Sequence, residues 1–192
     1  DVALISSEVE CVAAGTFTTN RVKAAPVKVS QTHLRDGDVC AILVNSGNAN
    51  ACTGVSGLQD ARKSARMVGK LLGVKQSQVA VCSTGVIGLP MPMVRIEPKL
   101  DELVLGLKRK EGTSVAKAMM TSDTCHKEIS VSLDIGGVKV KIGACAKGAG
   151  MINPHMATML CFVTTDAKIT KEALNSFVSN AVEVSFNRIT ID

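Results

Sequence analysis

Tryptophan and tyrosine are absent from this 192-residue sequence, and four phenylalanines supply its whole aromatic content of 2%. Val, Ile, Leu, Met and Ala must therefore fill the interior, and few flat side chains remain on which nucleic-acid bases could stack. Long apolar runs are also missing. No stretch reaches the roughly 18 uninterrupted apolar residues that read as a membrane span, and Asp1 to Ser7 carry neither a basic lead nor a signal-like apolar core. Histidine is scarce, at three residues, and the seven cysteines contain no Cys-x-x-Cys pair. His33 and His126 sit in polar segments, and neither stands at ligand spacing from a cysteine, so no metal site is expected. Neither a nucleic-acid partner nor a membrane partner is expected.

The cysteines are odd in number and lie largely within hydrophobic stretches. They are expected to be structural thiols in a reducing compartment: the cytoplasm, or the mitochondrial matrix or a plastid in a eukaryote. The net charge of +5 is mild, and its one dense cluster is Lys108-Arg109-Lys110. With no aromatic residue interleaved, that cluster is expected to be the solvated end of a surface helix.

At 46% hydrophobic content the chain can bury a substantial core, and it reads as one domain, incomplete at its ends. Period-two or β-rich runs predict strands at Val2–Ser6, Cys11–Thr19, Ala25–Ser30, Val39–Asn45, Val79–Thr84, Ile129–Ile135, Val138–Cys145 and Met159–Thr165. Gly136-Gly137, between two alternating runs, predicts a hairpin. Three stripes are helical by spacing: Leu58 to Leu72 ending at Gly73, Ile96 to Val104, and Leu174 to Ala181 with Thr170 as N-cap. Strand groups separated by a few helices predict an α+β layered sandwich, with mixed β-sheets and helices on the outside.

Three loops rich in glycine and small polar residues follow apolar strands: "NSGNANACTG" (Asn45 to Gly54), "STGVIG" (Ser83 to Gly88) and "KGAGM" (Lys147 to Met151). Small residues there let a ligand approach the backbone. Gly148, Ala149 and Gly150 open a G-x-G, yet Asn153 stands where a dinucleotide fingerprint needs its third glycine, so a tight turn is the reading. Ala157-Thr158 precedes an apolar run. On the residues alone, Thr158 is either a strand-start threonine or a nucleophile that gains its base, an α-amine, through self-cleavage. Lys147 and Thr84 alone read as a solvated lysine and a strand-end residue.

Together, "GTFTTNRVKAAPV", "NSGNANACTG", "STGVIG" and above all "KGAGMINPHMATML" carry a resemblance to the ornithine acetyltransferase (glutamate N-acetyltransferase) family of arginine biosynthesis, whose members are longer than this chain. The resemblance implies self-cleavage of the Ala157–Thr158 bond into an α chain, 1–157, and a β chain beginning at Thr158, the nucleophile. It implies that Thr84 and Gly85 form the oxyanion hole and that Thr121 and Lys147, with Thr158, bind substrate. The implied reaction moves an acetyl group from N-acetylornithine to glutamate without metal or organic cofactor, with acetyl-CoA as an alternative acetyl donor. The implied assembly pairs the α chain with its own β chain, in a dimer of αβ units or larger. Further family ligands, a glutamate and an Asn/Thr set, lie beyond Asp192. Two rival expectations are a self-processing amidohydrolase or aminopeptidase that releases the acyl group to water, and a noncatalytic amino-acid-binding relative. His155 is not expected to act as the base, because a new α-amine would make it unnecessary.

Overall fold

A computed structural model of the chain describes residues 1–36, 38–109, 111–153, 155 and 158–191. In its first sheet, β1 (Val2–Ser6) runs antiparallel to β2 (Ala41–Asn48), and β2 runs parallel to β3 (Val79–Val86). Strand alternation divides these residues between two faces. Leu4, Ala41, Leu43, Val79 and Val81 lie on one face and pack against α1 (Ala25–Asp36), α2 (Gly54–Leu72), α3 (Met93–Ile96) and α4 (Leu100–Leu105). Ala61, Ala65 and Val68 of α2 recur at helical spacing and are buried there. Leu100 is as deeply placed, and burying a side chain of its size stabilises the fold by about 1.5–3 kcal/mol.

The second face carries Ala3, Ile5, Ile42, Val44 and Cys82. It packs against Cys145, Leu160 and Phe162 of a second sheet, with Met119 buried beside them. That sheet joins β4 (Lys127–Ile135), β5 (Val138–Lys147) and β6 (Leu160–Thr165), all antiparallel. Gly136 and Gly137 turn β4 into β5 at φ of 61° and 83°, the paired left-handed residues that a two-residue hairpin requires. Before β4, α5 (Gly112–Ala118) bridges β1 to β4 and β5. On the far side, β4 is exposed along its whole length, including Ile129, Leu133 and Ile135, as is Val163 of β6. After β6, α6 (Lys171–Val184) starts at the Thr170 cap, whose hydroxyl accepts from Ala173 N–H at 3.3 Å.

The architecture is the layered α+β sandwich expected, with helices outside the first sheet. The second sheet is antiparallel throughout, and only the first is mixed. Three expectations fail locally. Ala25–Ser30 is not a strand but the opening of α1, because its apolar alternation also satisfies a helix that buries Ala25, Val29 and His33, with Pro26 tolerated in the first turn. Cys11–Thr19 forms no strand. At its end, local side-chain bonds turn the chain instead, from Asn20 N–H to the Thr18 hydroxyl and from Val22 N–H to Asn20 Oδ1. The Ile96 to Val104 stripe is broken by a 3₁₀ turn at Glu97–Lys99 around Pro98. Because α4 stops at Leu105, Lys108 and Arg109 lie in a loop, with Arg109 paired to Glu8. Lys110 falls outside the described residues.

Candidate active site

Parallel pairing brings the ends of β2 and β3, and hence the first two small-residue loops, to one edge of the sheet. The asparagines organise that edge. Asn45 Nδ2 donates to the Asn48 carbonyl at 2.8 Å, Asn48 Nδ2 to the Leu89 and Pro90 carbonyls, and Asn50 Nδ2 to the Gly57 carbonyl at 2.9 Å. Asn48 is opposed by both Thr84 and Val86, a bulge that ends regular pairing.

At the bulge Gly85 has φ +132°, and a Cβ there would stand 2.3 Å from the Gly47 carbonyl carbon and 2.6 Å from Asn48 N. Those neighbours are backbone and cannot swing aside. Gly85→Ala is therefore expected to destabilise the chain by about 3 kcal/mol or more. Thermal unfolding of the variant beside its parent checks this, and an unchanged melting temperature would contradict the close approach.

Strand parity also sorts the two residues before Gly85. Ser83 faces the helix layer and donates to Asn45 Oδ1 at 2.6 Å. Thr84 shares its face with Cys82 and looks toward the second sheet. From that sheet Lys147, on the same face as Cys145, reaches across. Lys147 is only 5% exposed, and its Nζ donates to Thr84 Oγ1 at 3.0 Å and to Thr121 Oγ1 at 2.7 Å. An ammonium only donates, so both threonine oxygens must accept. Each hydroxyl proton is thereby left pointing elsewhere, and neither hydroxyl has another partner among the described residues. Burial lowers the Lys147 pKa from its ordinary value, while the nearby Asp123 charge works against that.

Asp123 was not singled out by sequence reasoning. Its side chain is closed to solvent, and it accepts from Thr121 N–H at 3.2 Å, Gly148 N–H at 2.8 Å and Lys127 Nζ at 2.8 Å. Burial by itself would raise its pKa, but these donors outweigh burial and hold it at about 2. The only sequence signal was an aspartate within the short polar run Thr121-Ser122-Asp123-Thr124 after a helix.

Thr158 lies two residues before Leu160, the register partner of Lys147. It is exposed and sits at φ 65°, a left-handed conformation that is an outlier for a β-branched residue. Next to it, Met159 packs against Gly148, where an added Cβ would come 3.3 Å from Met159 Cβ. The expected cut involves Ala157, which lies outside the described residues. His155 is exposed, and its backbone N–H donates to Asn187 Oδ1 at 2.9 Å. All seven cysteines are free, although Cys52 and Cys125 are exposed rather than packed inside. Near the site, desolvation raises Cys82 to about 12 and Cys161 to about 11, so neither offers a thiolate at neutral pH.

The arrangement joins two threonine hydroxyls, one buried cation and the start of β6. The ArgJ family model matches residues 1–192. The chain belongs to the ArgJ family. It is 48% identical over 192 residues to arginine biosynthesis bifunctional protein ArgJ of Symbiobacterium thermophilum, covering 100% of this chain and 48% of that one. It is also 46% identical over 183 residues to glutamate N-acetyltransferase of Methanothermobacter thermautotrophicus, covering 94% and 46%. The chain therefore spans about half the length of the curated ArgJ relatives it matches. Two solved structures share its fold. Arginine biosynthesis bifunctional protein ArgJ of Bacillus halodurans has a TM-score of 0.75 at 37% identity, over 82% of this chain and 83% of that chain. Ornithine acetyltransferase of Mycobacterium tuberculosis, complexed with ornithine, has a TM-score of 0.69 at 34% identity, over 83% and 84%.

Proposed function

We propose that this chain is part of an acetyltransferase that moves an acetyl group from N-acetylornithine to glutamate, through an acetyl ester on Thr158. The observation that carries the reading is the buried Lys147 ammonium, which holds the Thr84 and Thr121 hydroxyls beside the strand that Thr158 leads. Cleavage between Ala157 and Thr158 would free an α-amine to take the Thr158 hydroxyl proton. The oxygen then attacks the acetyl carbonyl, a tetrahedral oxyanion forms, and ornithine leaves as its amine gains a proton. In the second half the glutamate amine attacks the ester carbonyl, and the Thr158 oxygen leaves and is reprotonated. Thr84 Oγ1, whose lone pair is engaged by Lys147, turns its O–H toward the oxyanion, joined by the Gly85 amide. Acetyl-CoA is an alternative donor for the first half, its C–S bond breaking and its thiol leaving in place of the ornithine amine.

One finding supports this sequence of steps. Thr158 carries backbone strain at the junction. Seven free cysteines fit a reducing compartment such as the cytoplasm, and no described helix is long and apolar enough to cross a membrane.

Mass spectrometry of the native protein incubated with N-acetylornithine alone tests the proposal. A β chain beginning at Thr158 and heavier by one acetyl group is expected, and the label should pass to added glutamate. Release of free acetate at the same rate with and without glutamate would instead indicate a hydrolase.

Lys147 is proposed to receive the α-carboxylate common to both amino acids with its remaining N–H. Lys147→Ala is expected to raise KM for N-acetylornithine and glutamate by about ten- to a hundredfold, with a smaller fall in kcat. Steady-state kinetics check this, and unchanged KM values would remove Lys147 from the binding site.

A further inference from the structure

The contact between Lys147 and Thr121 joins residues 26 positions apart in sequence, and neither side chain fixes the backbone that carries it. Thr121 follows α5 in a turn, and Lys147 is the last residue of β5. Asp123 reaches both places. Its Oδ2 accepts the N–H of Thr121, and its Oδ1 accepts the N–H of Gly148, the residue next to Lys147. The third donor, Lys127 Nζ, comes from the start of β4 and shares Oδ1. A single carboxylate thus ties down the peptide groups on both sides of the substrate-facing contact.

We propose that Asp123 is a positioning residue of the substrate site, whose carboxylate sets the spacing between the Thr121 hydroxyl and the Lys147 ammonium by holding the backbone beside each. The inference rests on the proposed role of Lys147 and Thr121 in binding the shared carboxylate. Asp123 touches neither substrate nor reacting atoms and acts through those two residues. Its closed, fully bonded state suits this role, because a carboxylate already accepting three donors is not available to a ligand.

Asp123→Asn keeps the shape of the side chain and breaks one tether. With its oxygen in place of Oδ1, the new NH2 faces Thr121 N–H, donor against donor. Flipped, it faces Gly148 N–H and Lys127 instead. In the whole, processed protein this change should raise KM for both N-acetylornithine and glutamate by about tenfold, with kcat within about threefold of the parent. Combined with Thr121→Val, it should raise KM by less than the product of the two separate effects, because the hydroxyl it would displace is gone. A lowered melting temperature with unchanged KM, or effects that multiply, would overturn the proposal and leave Asp123 as a fold-stabilising group. If Asp123→Asn does not accumulate, Thr121→Val decides alone. Its own KM must rise, since an unchanged value leaves Asp123 nothing to position. Lys147→Ala separates the two levels: unchanged KM there ends the carboxylate-binding reading and this inference with it. A raised KM there beside a normal Asp123→Asn ends only the inference.

Discussion

Thr158→Ala is expected to leave the full-length chain uncut and to lower acetyl transfer by about 10⁴–10⁶-fold, the scale seen when a covalent nucleophile is removed. Both losses follow from one atom. In the cleavage step the Thr158 hydroxyl would attack the Ala157 carbonyl, the peptide bond would give way to an ester on the threonine oxygen with the α-amine released, and water would hydrolyse that ester; the freed hydroxyl later attacks the acetyl group. Of the hydroxyls at this edge, Thr158 alone would gain an α-amine base by the cut, whereas the Thr84 and Thr121 oxygens accept from Lys147. Denaturing electrophoresis and transfer assays on the same preparation read the two effects. A Thr158→Ala protein that still splits at this bond would sink the assignment. Thr158→Ser keeps the hydroxyl but loses the methyl that restricts χ1, and it should retain partial function.

Thr84→Ala should lower kcat by roughly 10²–10³ with little change in substrate affinity. The direction comes from the hydrogen-bond geometry. Lys147 approaches Thr84 Oγ1 as a donor, so the hydroxyl has its own proton to offer, and it matters most when negative charge develops on the reacting carbonyl. Lys147 keeps its Thr121 partner in the variant, which preserves the binding cation. Kinetics on fully processed protein would test this without interference from slow maturation. Turnover within about twofold of the parent would return Thr84 to a strand-end role and send the search for the oxyanion donors elsewhere.

The residues placed at this edge were readable at different depths. All six strands among the described residues followed from apolar alternation or β-rich runs, and α2 followed from its stripe and from Gly73, which takes φ 71° at the helix end. Thr84, Thr121 and Lys147 came from motif resemblance, because their meeting depends on two sheets packing face to face and no local pattern encodes that. Lys147 illustrates the gap. Alone it reads as a solvated lysine, yet parity on β5 turns it inward with Cys145. Asp123 escaped altogether, since its three donors come from three separate segments. The α1 error has a similar origin: Ala-Pro-Val-Lys-Val-Ser fits either period, and only the partner surface on the first sheet decides between them.

That helix has one more effect. Ser30 Oγ donates to the Val81 carbonyl at 2.7 Å and accepts Val81 N–H at 2.8 Å, while His33 Nδ1 meets the Val79 carbonyl at 2.8 Å. Since a carbonyl only accepts, Nδ1 carries the hydrogen there. Two helical side chains thus stand where a fourth strand would pair and engage the Val79 carbonyl and both backbone groups of Val81, while the Val79 N–H donates to the Gln76 carbonyl. A stray extended segment from another molecule finds no free ladder along Val79–Val81, so that half of the β3 rim is protected against fibril-like growth and strand exchange.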